Sequence, residues 1–187
     1  MKFKIQYNNE ELCGTIPDSW EEYTVKHFTT IEANSNDIQI LSALSGISEE
    51  AIQNTGANLD LIMQHVASIF NTKPPDFSAA KKGEIKIEGK EIKFPRSLDF
   101  TRYGQKSLLK NILQNEKALE KEVARIFAIY AQPLIDGKFD STRIDDIKKI
   151  VEDLPIIKVY PYVLFFFKKS NALRRHLKAQ SMQYLQP

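Results

Sequence analysis

The chain has 187 residues, 42% of them hydrophobic and 27% charged, a composition that builds a folded core and excludes a disordered chain. Its 26 Lys and Arg stand against 24 Asp and Glu, so with a net charge of +2 any attraction for nucleic acid must come from how charge is distributed, not from its sum. The sole cysteine, Cys13, excludes an intrachain disulfide and a cysteine-based zinc cluster, and reads as a small apolar strand residue in a reducing compartment.

The N-terminal MKFKIQYNNEE has no apolar stretch of the secretory kind. Phe3, Ile5 and Tyr7 alternate with Lys4 and Gln6, the period of a strand with one buried face. Asn8 and Asn9 tolerate a turn, residues 12–16 return, and Pro17 stops the hairpin. Thr24 is a good helix N-cap, with Tyr23 and Phe28 spaced as a hydrophobic staple. Ile38, Leu41 and Leu44 mark a helix over 37–45 that Gly46 closes. Ser48 caps a short helix opening on Glu49 and Glu50, where the positive helix end favours acids. Leu59, Ile62, Met63, Val66 and Phe70 then make one apolar stripe, ended by Pro74-Pro75.

Residues 71–83 read as a linker. A second hairpin is expected over 84–94, turning at Glu88-Gly89-Lys90. One long helical region follows over about 101–132, with Leu119, Val123, Ile126, Phe127 and Tyr130 as its stripe and Pro133 as its end. Thr142 and Asp145 have the spacing of a capping box, ahead of a helix carrying Ile144, Ile147, Val151 and Leu154. The last helix starts near Pro155, meets Pro161 and runs to about residue 180. The longest apolar run, between Lys158 and Lys168, falls far short of the roughly 20 residues that span a bilayer. No membrane partner is expected, and the protein reads as cytosolic.

These elements predict an α+β fold, predominantly α-helical. A hairpin-plus-helix subdomain occupies 1–75; a second hairpin with helices and a C-terminal basic helix occupies 76–187. The halves follow one plan, a pseudo-repeat in which TIPDSWEEYT corresponds to KFPRSLDFT: Pro17 and Ser19 match Pro95 and Ser97, and Tyr23-Thr24 matches Phe100-Thr101. Gln105 departs from the plan, because the staple position it would fill calls for an apolar residue.

The chain offers little chemistry. His27, His65 and His176 lack metal-ligand spacing, and seven glycines form no phosphate-cradling loop. The adjacent acids Glu21-Glu22 and Asp145-Asp146 are accounted for by helix starts. No catalytic, cofactor or metal residue is nominated, and the chain does not read as an enzyme. Trp20, the only tryptophan, either fills the core between hairpin and helix or anchors an interface. No acid follows Asp153, whereas Lys158, Lys168, Lys169, Arg174, Arg175 and Lys178 do. That basic end complements its own helix dipole, docks on a protein, or touches nucleic acid. Phe165, Phe166 and Phe167 span roughly 200° of helix, so at least one meets solvent or another chain unless the helix is buried all round. The partner-binding candidates are therefore Trp20, Phe165, Phe166, Phe167, Arg174, Arg175 and Lys178.

Four pieces of the chain resemble small proteins from the structural gene modules of tailed bacteriophages, especially those infecting Bacteroidetes. They are Pro17-Asp18-Ser19-Trp20-Glu21-Glu22-Tyr23-Thr24, the ILSALSG run from Ile40 to Gly46, the hairpin from Ile85 to Glu91, and the stretch from Leu154 to Phe167. The resemblance covers nearly the whole chain and carries no catalytic residue. It implies a tail-assembly chaperone or a small virion-associated protein, in the host cytoplasm during assembly or in the virion. Its implied partners are other phage structural proteins of the tail or portal region, with self-association beside them. The alternative is a nucleic-acid-associated protein that binds through the C-terminal basic helix.

Overall fold

The computed structural model describes residues 1–32, 34–72, 85–93, 102–114 and 121–165. The fold is α+β and predominantly helical, with two small antiparallel hairpins. Two compact units divide the chain: Met1–Asp76 with Glu152–Ile157, and Phe77–Val151 with Lys158–Pro187.

The first unit opens with strands β1 (Lys2–Tyr7) and β2 (Glu10–Thr15), paired from Lys2 opposite Thr15 to Tyr7 opposite Glu10. Asn8 and Asn9 take the left-handed φ values of 52° and 63° that a tight two-residue hairpin turn requires. The expected alternation holds, with Ile5 buried, Phe3 and Tyr7 half-buried, and Lys2, Lys4 and Gln6 exposed. Cys13 pairs with Lys4 and shares its exposed face, so it lies in the strand but packs into no core.

Helices α1 (Val25–Thr30), α2 (Asp37–Ser45), α3 (Glu49–Asn54) and α4 (Asp60–Asn71) follow. Thr24, Asn36 and Ser48 cap the first three through side-chain oxygens, and Gly46 closes α2 at a φ of 76°. The expected stripe of α4 is shifted at its end: Ile69 is buried, and Phe70 lies at the edge. The helix stops at Asn71, ahead of the proline pair, with Thr72 as its cap. α2 packs on α1, α3 and β2, and α3 packs on β1. The core joins Ile5, Ile16, Tyr23, Val25, Leu41, Leu44, Ile52 and Val66. A late segment completes it. The Val25 N–H donates to the Leu154 carbonyl at 2.9 Å, and the Ile156 N–H donates to the Tyr23 carbonyl at 2.8 Å. Thr24 and Pro155 thus form an antiparallel bridge.

In the second unit, β3 (Ile85–Ile87) and β4 (Lys90–Ile92) pair across Glu88 and Gly89, at φ values of 49° and 76°. The turn is two residues long, not three, because Lys90 already pairs with Ile87. The expected single helical region contains two described helices, α5 (Tyr103–Gln114) and α6 (Val123–Asp136), which pack together; Leu119 lies outside the described residues. Pro133 does not end α6, which continues to Asp136 and closes at Gly137. A proline removes the N–H that would bond the carbonyl four residues back, here that of Ile129. Gln105 Nε2 donates to that carbonyl at 2.9 Å instead, in a buried contact. α6 is buried over most of its circumference, including Val123, Ile126, Phe127 and Ile129.

Helix α7 (Ile144–Glu152) follows a 3-10 turn, Ser141–Arg143. Asp140 caps the 3-10 turn, where its Oδ1 accepts from the Thr142 N–H at 2.9 Å and from its hydroxyl at 2.7 Å, so the Thr142 hydroxyl expected as a cap acts as a donor. The helical residues 156–165 (α8) include Pro161, and the expected continuation to 180 lies outside the described residues. Tyr162 of α8 stacks edge-on against Phe127 at 5.0 Å and donates its hydroxyl to the Ile92 carbonyl at 2.9 Å. Residues 94–101, which carry the second copy of the repeated motif, also lie outside the described set. None of the described helices is long and apolar enough to cross a membrane.

Candidate functional site

Pro17 turns the chain out of the hairpin, and residues 18–23 carry it to α1 with Trp20 at mid-turn. The indole is half-buried and held from two sides. Its N–H donates to Thr72 Oγ1 at 3.0 Å, at the end of α4, and the Thr72 hydroxyl donates on to the Ile69 carbonyl at 2.5 Å. Tyr23 and Phe70 meet the indole edge-on, with centroids at 5.3 and 5.7 Å, and meet each other at 5.8 Å. Edge-to-face pairs of this kind add to what burial contributes. Tyr23 is buried, and desolvation pushes its phenol up to about 12. Phe70 keeps 38% of its surface in solvent. The cluster therefore closes the edge of the first unit and leaves part of two rings open.

A groove of about 610 Å³ lies beside α1 and α2, with His27, Lys26, Glu32, Glu49, Ser42 and Asp153 in its walls. His27 is occupied structurally. Its Nδ1 accepts the Thr24 N–H at 3.1 Å, and its own N–H donates to Thr24 Oγ1 at 3.3 Å, a reciprocal cap at the start of α1. Burial first, and then the Lys26 ammonium, hold its pKa below the ordinary 6.5, against the opposing pull of Asp153.

The other histidine described, His65, sits on α4 with Nε2 3.0 Å from Asp18 Oδ1 and 3.3 Å from the Pro17 carbonyl. Asp18 also receives the Met1 ammonium, whose hydrogen bond is the first cause of its lowered pKa. Glu21 is lowered by the Ser19 hydroxyl, and Asp140 by that of Thr142. A general acid needs the opposite shift. In the second unit Arg143 donates to both Glu88 oxygens, at 2.7 and 2.9 Å, and lies 3.5 Å from Asp136 and 3.4 Å from Asp146, tying the β3–β4 turn to α7. Among the described residues no three His, Cys, Asp or Glu side chains group to hold a metal ion.

Of the residues nominated from sequence, Trp20 lies in the aromatic cluster of the first unit. Phe165 is half-buried where the described part of α8 ends. Phe166, Phe167, Arg174, Arg175 and Lys178 lie outside the described residues. Sequence reasoning missed Phe70 and Thr72 as companions of Trp20, because a contact across 52 residues leaves no local pattern. It also missed His27 as a cap, although its place three residues after Thr24 was the available signal. No protein-family model, curated protein or solved structure matches the chain.

Proposed function

We propose that this chain is an assembly or virion-associated protein of a tailed bacteriophage, of the tail-assembly-chaperone kind, that works by binding other phage structural proteins and not by catalysis. The observation that carries the reading is the half-buried Trp20. The PDSWEEYT motif, one of the four pieces that carry the resemblance, folds into an aromatic edge with open ring surface. Partly exposed aromatic anchors of this type concentrate binding energy at protein interfaces. In the same unit His27 is engaged in the cap of α1, and Asp18 is paired with the Met1 ammonium and His65. The partners are structural proteins of the tail or portal region, met in the host cytoplasm during assembly or in the virion, with a second copy of the chain among them.

The test is affinity purification of the full chain from infected cells, with nuclease treatment, followed by mass spectrometry. One or a few phage structural proteins should be retained after nuclease. Trp20→Ala should weaken that retention by about 30-fold, the effect of losing an anchor worth roughly 2 kcal/mol. Retention that vanishes with nuclease, falls steeply with salt and is lost in Arg174→Ala/Arg175→Ala would replace this reading with nucleic-acid binding. Mass spectrometry of purified particles then separates a virion resident from an assembly factor.

A further inference from the structure

Thr24 is the centre of two independent sets of contacts. On one side its neighbours pair with the late segment, through Val25 N–H to Leu154 and Ile156 N–H to Tyr23. On the other, its own N–H and hydroxyl are both engaged by His27. The extended geometry of Thr24, φ −82° and ψ 167°, serves both the cap and the bridge to Pro155. A ring nitrogen accepts a hydrogen bond only while it carries no proton, so the half of the cap that runs from the Thr24 N–H to Nδ1 exists only with a neutral imidazole.

We propose that His27 makes the Thr24–Pro155 bridge a pH-sensitive clasp on residues 152–157. With the ring neutral, Nδ1 holds Thr24 in the conformation that pairs with the late segment. Protonation at Nδ1 sets a ring N–H against the backbone N–H of Thr24, removes that half of the cap while the His27 N–H to Thr24 Oγ1 bond stays, and loosens the bridge. The charged groups around the ring are few. Lys26 on its own helix opposes the added proton, and Asp153 on the clasped segment favours it. Glu32, after α1, and Glu49, at the start of α3, share the groove wall. α2 contributes only the uncharged Gln39, Ser42, Ala43, Leu44 and Ser45 to that wall. The Tyr23 ring lies tilted against the imidazole at 5.5 Å. Because the folded pKa is lowered, the folded unit binds fewer protons than the unfolded chain as pH falls below about 6.5, and the clasp weakens in that direction. The clasped segment runs from the last residue of α7 through the connection at 153–155 into the start of α8.

Amide hydrogen exchange on the full-length chain, corrected for intrinsic rates, tests this at Val25 and Ile156, with Gly46 as the reference amide in the same unit. Between about pH 7.5 and about pH 5, protection at Val25 and Ile156 should fall several-fold relative to Gly46. His27→Gln keeps an acceptor at the same helix position without titrating, and should hold protection nearly constant over that range. A pH-dependent loss that persists in His27→Gln, or that strikes Gly46 equally, overturns the clasp. A second measurement needs no variant: nitrogen chemical shifts of His27 in the unaltered chain should show Nδ1 unprotonated at neutral pH, and a proton found there refutes the proposal.

Discussion

Pro133 removes one hydrogen-bond donor from the middle of α6, and Gln105 supplies it from α5. The Ile129 carbonyl is fully enclosed, so without a donor it would bear its desolvation cost uncompensated. This is why a glutamine occupies a buried position on α5, where the repeat pattern calls for an apolar residue. Gln132 has a comparable role one turn later: its Nε2 donates to Asp136 and to the Lys138 carbonyl, both at 3.0 Å, while its Oε1 accepts the Asp140 N–H. Gln105→Leu should lower stability by about 1–3 kcal/mol, read from the urea midpoint. Pro133→Ala restores the missing backbone N–H. In that background the same Gln105→Leu change should cost less than about 1 kcal/mol, and the double-mutant cycle should return a coupling of similar size to the lost bond. Additive effects would show that the two residues do not share the Ile129 carbonyl.

At the scale of single elements, the hairpins depend on backbone geometry that few side chains accept. Asn8, Asn9 and Glu88 all hold positive φ without being glycine. Asparagine bears this at low cost, since its short polar side chain tolerates the left-handed region. Asn9→Ala should destabilise the first unit by about 1 kcal/mol, and Asn9→Gly should match or exceed the unaltered chain by a few tenths. Both are readable by thermal unfolding, and equal stability of the two variants would mean the turn is not under this constraint. Elements set by such local chemistry were legible in the sequence: the Asn8-Asn9 turn, the Thr24 and Ser48 caps and the Gly46 stop all stand where residue type and spacing put them. Those set by a distant partner were not. Pro133 reads as a stop until Gln105 is placed beside it. The same division runs through the candidate site. Trp20 was found because it is unique in the chain, whereas Phe70 and Thr72 join it only through the end of α4.

At the scale of the whole molecule, the first unit draws on chain from two places. Met1–Asp76 supplies the hairpin and α1–α4, and Glu152–Ile157 supplies Pro155, the bridge partner of Thr24. That late segment contributes two backbone hydrogen bonds and the fully buried side chain of Ile156. No local pattern announces such a pairing, because its two sides meet only in the folded chain. Loss of the bonds and of a buried isoleucine together is worth several kcal/mol by the usual scales, against a total of about 5–15 kcal/mol for a small domain. A polypeptide of residues 1–76 should therefore unfold at a markedly lower urea concentration than the same polypeptide carrying 152–157 on a flexible linker. The difference should disappear when the tethered segment carries Ile156→Asp, which cannot be buried without a large penalty. Equal midpoints for the short and the tethered polypeptides would show that residues 1–76 hold their fold without the late segment. The bridge at Thr24 would then be an ornament of the first unit and not part of its support.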